Sequence, residues 1–178
     1  NTLEEGLQKL KGLSKISTFR KLSNFEANSF RLSTQLQLNY WMEQGNFNSI
    51  IQSIPEVQNG IKRFEQKIVI HTRFTLLYLL AYGCFIVGKY DNALDLLQPI
   101  LQEKETKVVE DIQFGARMLQ MLCFFEKNEL LLVLSFIQSL RKTMLQKKLN
   151  LPVHKLVIKH IQQASKGKLN YASLVEKM

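Results

Sequence analysis

Three histidines, two cysteines and two pairs of adjacent carboxylates are the residues of this 178-residue chain most able to do more than pack. His154 and His160 stand six positions apart. Side chains on one helix face recur every three or four positions, so these two imidazoles leave different faces. With His71 far upstream they make no converging set of the kind that zinc requires. His160 falls on an apolar stripe and is expected to pack rather than to bind metal. Cys84 and Cys123 sit in apolar helical surroundings with no histidine near them in sequence. They read as small buried hydrophobes rather than activated thiolates, and their spacing cannot establish a disulfide. Glu4-Glu5 and Glu110-Asp111 fall near helix starts, where the helix dipole accounts for them. The glycines are scattered and form no phosphate loop. The expectation is therefore no catalytic set, no metal, no cofactor and no enzyme.

Charge is the second source of chemistry. Residues 1–140 carry 15 basic and 14 acidic side chains, whereas residues 141–178 carry nine and one. Arg141, Lys142, Lys147, Lys148, Lys155, Lys159, Lys166 and Lys168 precede the one acid of that stretch, Glu176. Such a run suits an electrostatic landing zone for nucleic acid, anionic lipid or an acidic partner. It equally suits a solvated outer face of a capping helix. Tyr171 is its lone aromatic, so stacking on single-stranded bases has little to work with. No recognition-helix or RNA-module motif occurs.

The elements that must position these residues are helical. Three prolines, eight glycines and no sustained period-two alternation favour an all-α chain. The centre is Phe74 to Leu101, where a segment apolar almost all round meets Gly88 and then an amphipathic segment led by Asp91. A helix of the first kind lies between other helices. Glycine tolerates the left-handed conformation that ends a helix cleanly, and small Ala81 and Ala93 permit close approach of the pair. The frame recurs upstream at Leu38, Trp41, Gly45, Phe47, Ile50 and Ile54. It recurs downstream at Met121, Phe124, Asn128, Leu130, Val133 and Ile137, with asparagine as the left-handed residue. The corners Gly45, Gly88 and Asn128 are 43 and 40 positions apart.

Ala81, Gly88, Tyr90 and Ala93, followed by Leu97 and Ile100, resemble the tetratricopeptide repeat, a helix-turn-helix module of about 34 residues. Cys84 stands where that family usually has Tyr or Phe, and Pro99 comes earlier than its closing proline. The corner spacing is longer than about 34 and would equally suit HEAT-type repeats; the turn Gly-Lys-Tyr-Asp-Asn-Ala at 88–93 favours the tetratricopeptide-like reading. The overall pattern is similar to degenerate members of this kind in bacteria. The resemblance implies an all-α right-handed superhelix of antiparallel helix pairs, a single domain over 1–178. It divides into an N-terminal capping or partial-repeat helix (1–16), repeats over 17–67, 68–105 and 106–150, and basic capping helices over 151–178. It also implies that the first helix of each pair lines a concave groove. The groove positions carried over are Gln35, Asn39 and Met42, then Tyr78, Tyr82 and Phe85, then Met118, Leu122 and Phe125. Aromatic and Met side chains there suit an apolar peptide or partner helix. A terminal helix of the same chain would fill the groove equally well. Of the Lys, Asn and Arg that clamp a terminal carboxylate in some members, only Asn39 is present. Tyr82 and Leu122 occupy the later places.

Within these helices, Ser17-Thr18 is read as an N-cap and Pro55 as a break. Leu130 to Leu134 is read as strongly buried. Val153, Leu156, Val157, His160, Ile161 and Ala164 mark one face of a late helix that Gly167 ends, and Leu169 to Lys177 form a short final one. Leu76 to Val87, the longest nearly unbroken apolar run, is too short to span a bilayer. Asn1 in place of an initiator Met suggests a processed or excised chain. Two unpatterned cysteines suit a reducing compartment, so the expected location is cytoplasmic. The reading is a non-catalytic scaffold for a protein or peptide partner. Binding of nucleic acid or an anionic surface through 141–168 is the alternative, and self-association to a homo-oligomer through an exposed repeat end is a third route.

Overall fold

The computed structural model describes residues 5–6, 8–9, 24–104, 106–146 and 152–175, with side-chain surroundings as far as Gly167. Seven helices account for nearly all of them: α1 (Phe25–Glu43), α2 (Phe47–Arg63), α3 (Ile70–Ile86), α4 (Tyr90–Gln102), α5 (Glu110–Glu126), α6 (Leu130–Gln146) and α7 (Pro152–Val175). No strand occurs among the described residues. Ser17-Thr18 and the leucines of residues 3–13 lie outside them, as do Lys147, Lys148 and the side chain of Lys168.

Three links of equal length, 44–46, 87–89 and 127–129, join α1 to α2, α3 to α4 and α5 to α6. Each contains one residue at positive φ: Gly45 at 65°, Gly88 at 76° and Asn128 at 61°. The hydrogen bonds repeat as well. Gly45, Gly88 and Asn128 donate N–H to Met42, Phe85 and Phe125 at 3.0–3.1 Å. The next residues, Asn46, Lys89 and Glu129, donate to Trp41, Cys84 and Phe124 at 2.8–2.9 Å. That pair of bonds is the Schellman closure of a helix C-terminus. Seven residues before each corner stand Leu38, Ala81 and Met121. Five after it stand Ile50, Ala93 and Val133. All six are fully buried. The local chemistry that ends one helix thus aims the next one's apolar stripe back at it.

Chain contacts divide into two compact units, Asn1–Gln113 and Phe114–Met178. In the first, α1 packs on α2 and α3, α2 packs on α3, and α3 packs most extensively on α4. The α1/α2 pair is antiparallel, since the Phe30 ring lies where a side chain on Gly60 would project, each fifteen positions from Gly45. A Cβ on Gly83 would stand 2.6 Å from Ile50 Cγ2, so α2 and α3 approach closely at that point. Helix α3 buries Phe74, Leu76, Leu77, Leu80, Ala81, Gly83 and Cys84, as its nearly continuous apolar character predicts. Pro55 does not break α2, which runs unbroken from Phe47 to Arg63. One backbone hydrogen bond is lost there, while Ile50 and Val57 on either side are held in the core. Pro99 is likewise inside α4, which ends three residues later at Gln102.

The second unit closes around Phe114, Met118, Met121, Val133, Ile137, Leu140, Met144 and Ile158. Here two expectations are corrected. Leu130 and Val133 are buried, but Leu131 is 75% exposed and Leu132 45%, because consecutive helical residues diverge by about 100°. On α7, Ile158 and Ser165 face inward with Val157 and Ile161 beside them, while Val153, Leu156, His160 and Ala164 are exposed. The buried stripe is rotated from the one centred on His160. Helix α7 also continues through Gly167 to Val175 instead of ending there.

Candidate functional site

Helices α1 and α3 are in contact, and each carries partly exposed side chains beside its core stripe. On α1 the core stripe runs through Ala27 and Leu38. Gln35, Asn39 and Met42 lie on one flank of it by helical spacing and are half-buried. On α3, Tyr78, Tyr82 and Phe85 recur every three or four residues on the side opposite the core stripe. Tyr78 and Phe85 are half-buried, and Tyr82 is 38% exposed. Burial, and secondarily the neighbouring Tyr82 hydroxyl, raises the Tyr78 phenol above its ordinary pKa of 10.0. Phe85 packs against Tyr90 across the corner, with centroids 5.8 Å apart, and Ile86 and Val87 extend the apolar surface beyond it. The arrangement is a partly exposed aromatic strip on a helix that adjoins the one carrying the amide and thioether groups. It can bind by area and by hydrogen bonding.

The third predicted set fares differently. Met118 is 7% exposed and belongs to the core of the second unit. Leu122 and Phe125 are half-buried against that same core. A thioether spent on the interior has almost no surface left for a partner, so Met118 drops out of the accessible set.

The cations of the second unit come together across two helices. Lys155, Lys159 and Lys166 recur along one side of α7 and are exposed. Gln162 lies between them on the same side, and its Oε1 accepts from Arg141 Nη2 of α6 at 2.7 Å. Arg141 therefore lies against the lysine stripe, which spans about 16 Å at 1.5 Å per residue. Lys142 is exposed on α6. Neither α6 nor α7 contains an acidic residue.

The remaining chemistry-bearing residues stay apart. His71 Nε2 is 3.6 Å from Asp111 Oδ2 at the surface, and the His154 ring meets Phe114 edge-on at 5.4 Å. Among the described residues no three His, Cys, Asp or Glu side chains gather as metal ligands would. Cys84 and Cys123 are free thiols and buried. Burial raises the Cys84 pKa above its ordinary 9.0, against a weaker lowering by Lys89. Among the described residues no helix is long and apolar enough to cross a membrane.

Sequence reasoning missed a cleft of about 330 Å³ between α1 and α2. From α1 it is lined by Phe30, Ser33, Thr34, Gln37, Leu38 and Trp41, and from α2 by Ser53, Glu56 and Val57. By helical spacing this is the flank of α1 turned away from Gln35, Asn39 and Met42. The available signal was small polar residues at helical spacing between two aromatic ones, Phe30 and Trp41. No protein-family model, curated protein or solved structure matches the chain.

Proposed function

We propose that the chain is a non-catalytic binding scaffold, a tetratricopeptide-like stack that takes an apolar or aromatic peptide, or a partner helix, along the α1/α3 face. The observation that carries this reading is the Tyr78–Tyr82–Phe85 strip, partly exposed on a helix whose other side is committed to the core. Aromatic side chains give large contact area for little entropy loss, which is why they dominate protein interfaces. The three equivalent corners support a repeat origin for the pairs. Gln35, Asn39 and Met42 would border the peptide and fix its register.

The test is selection of peptides from a random library on the full chain, followed by titration of the enriched sequences. Tyr82→Ala should weaken binding about tenfold, as truncation of an interface aromatic does, and Asn39→Ala should weaken it less. Failure to enrich any sequence, or binding indifferent to both changes, would reject the reading.

The joining of Arg141 to the α7 lysine stripe favours a second reading, an anion-binding surface. Retention on a phosphate-bearing resin would then fall steeply with salt, and Lys155→Gln with Lys159→Gln would reduce the slope by about two. Elution at low salt, independent of those lysines, would remove it.

A further inference from the structure

We propose that the cleft between α1 and α2 is a binding site for an organic cation, a protonated amine or guanidinium carried on an apolar body. Its walls are polar on both sides, with Ser33, Thr34 and Gln37 on α1 and Ser53 and Glu56 on α2, and two of the hydroxyls have their protons engaged. Ser33 Oγ donates to Ser29 O at 2.7 Å, and Ser53 Oγ donates to Ile50 O at 2.7 Å. A hydroxyl has one proton, so what these two turn outward is lone pairs. Glu56 is the one charged side chain lining the cleft, and it forms no ion pair with any described residue. Phe30 and Trp41 also line the cleft, and the negative quadrupole of an aromatic ring, strongest in tryptophan, attracts a cation.

The site is held rather than assembled on demand. Phe30 packs on Phe64 with centroids 5.6 Å apart and lies over Gly60. The Trp41 carbonyl accepts from Asn46 at 2.8 Å in the first corner. Leu38 and Val57 form a buried floor. The volume falls at the small end of ligand sites, about 300–1,000 Å³. An anion would meet the Glu56 carboxylate, and a wholly apolar molecule would leave the cleft's polar groups without partners.

Trp41 is the chain's single tryptophan, so its emission reports on this cleft alone. The full chain is titrated with benzylammonium, benzyl alcohol and benzoate. Only the ammonium should shift Trp41 emission saturably, with the alcohol at least about tenfold weaker and benzoate without effect. Glu56→Gln, an exposed helical substitution whose folding is checked by its melting curve, should weaken benzylammonium about tenfold. Glu43→Gln, outside the cleft, should not. A capped lysine amide and an octapeptide containing lysine distinguish the source of the cation. Tighter binding of the octapeptide assigns the cleft to a side chain presented by a polypeptide, and equal or weaker binding assigns it to a small amine. Equal binding of benzyl alcohol, indifference to Glu56→Gln, or no saturable response to any cation overturns the proposal.

Discussion

Gln113 closes the end of α4 from outside that helix. Its Nε2 donates to Ile100 O at 3.0 Å and to Glu103 O at 2.9 Å, carbonyls at a helix terminus that lack intrahelical partners. The side chain is buried, and its Oε1 has no partner. Gln113→Leu keeps the volume but strands two acceptors, and should lower unfolding free energy by about 1–3 kcal/mol in a urea titration. A second prediction at this scale concerns pH. Tyr78 and Cys84 both have folded pKa values raised above 10.0 and 9.0, chiefly by burial. The folded state then holds those protons more tightly than the unfolded chain does. Their contribution is fully present at neutral pH and is lost as pH rises past 9 and 10. The urea midpoint should fall between pH 9 and 11, and Tyr78→Phe should flatten the upper part of that fall. A midpoint that climbs over this interval contradicts the assignment. The tyrosine pair was legible from its four-residue spacing, whereas Gln113 was not, because its partners lie on carbonyls of the preceding helix end.

At the scale of elements, the corners set the helix pairing. Gly45 and Gly88 adopt positive φ, which costs a residue with a Cβ about 1–2 kcal/mol. Gly45→Ala and Gly88→Ala should each lower the thermal midpoint accordingly, whereas Asn128→Gly should be neutral or mildly stabilising. Gly83 has a different reason to be small. Gly83→Ala would press a methyl group against Ile50 Cγ2 at 2.6 Å, an overpacking cost of about 1–3 kcal/mol. An unchanged melting curve for it would mean α2 and α3 can separate freely. All three corners were legible, because few residues besides Gly and Asn enter the left-handed region easily and each is followed by a renewed apolar stripe. Pro55 was misleading. A proline removes one hydrogen bond, and burial of Ile50 and Val57 on the same helix outweighs that loss.

At the scale of the whole molecule, the net charge of +9 is concentrated in residues 141–178. Neither α6 nor α7 holds an acid, and the Arg141–Gln162 contact sets that guanidinium among the lysines of α7, so folding brings like charges together. Salt screens that repulsion over a Debye length of about 10 Å at 0.1 M. Raising sodium chloride from low to moderate concentration should therefore stabilise the fold. A gain of about 1 kcal/mol would appear as roughly 2–4 °C in Tm for a chain of this size. A Tm that falls over the same range would show that favourable surface pairs dominate instead.

What the sequence determined by itself was the punctuation and class of the chain. It contained the helical segments, the corners at Gly45, Gly88 and Asn128, the buried character of α3, and the basic run. These are set by backbone preference and by apolar periodicity within one segment, both of which act over a few residues. Tertiary structure alone decided which side of α7 faces inward, since a helix apolar over half its circumference offers two stripes and its neighbours select one. It likewise sent Met118 into the core, set Arg141 against Gln162, and opened the cleft between Trp41 and Glu56. Each of these is a relation between helices, and no property of a single helix encodes it.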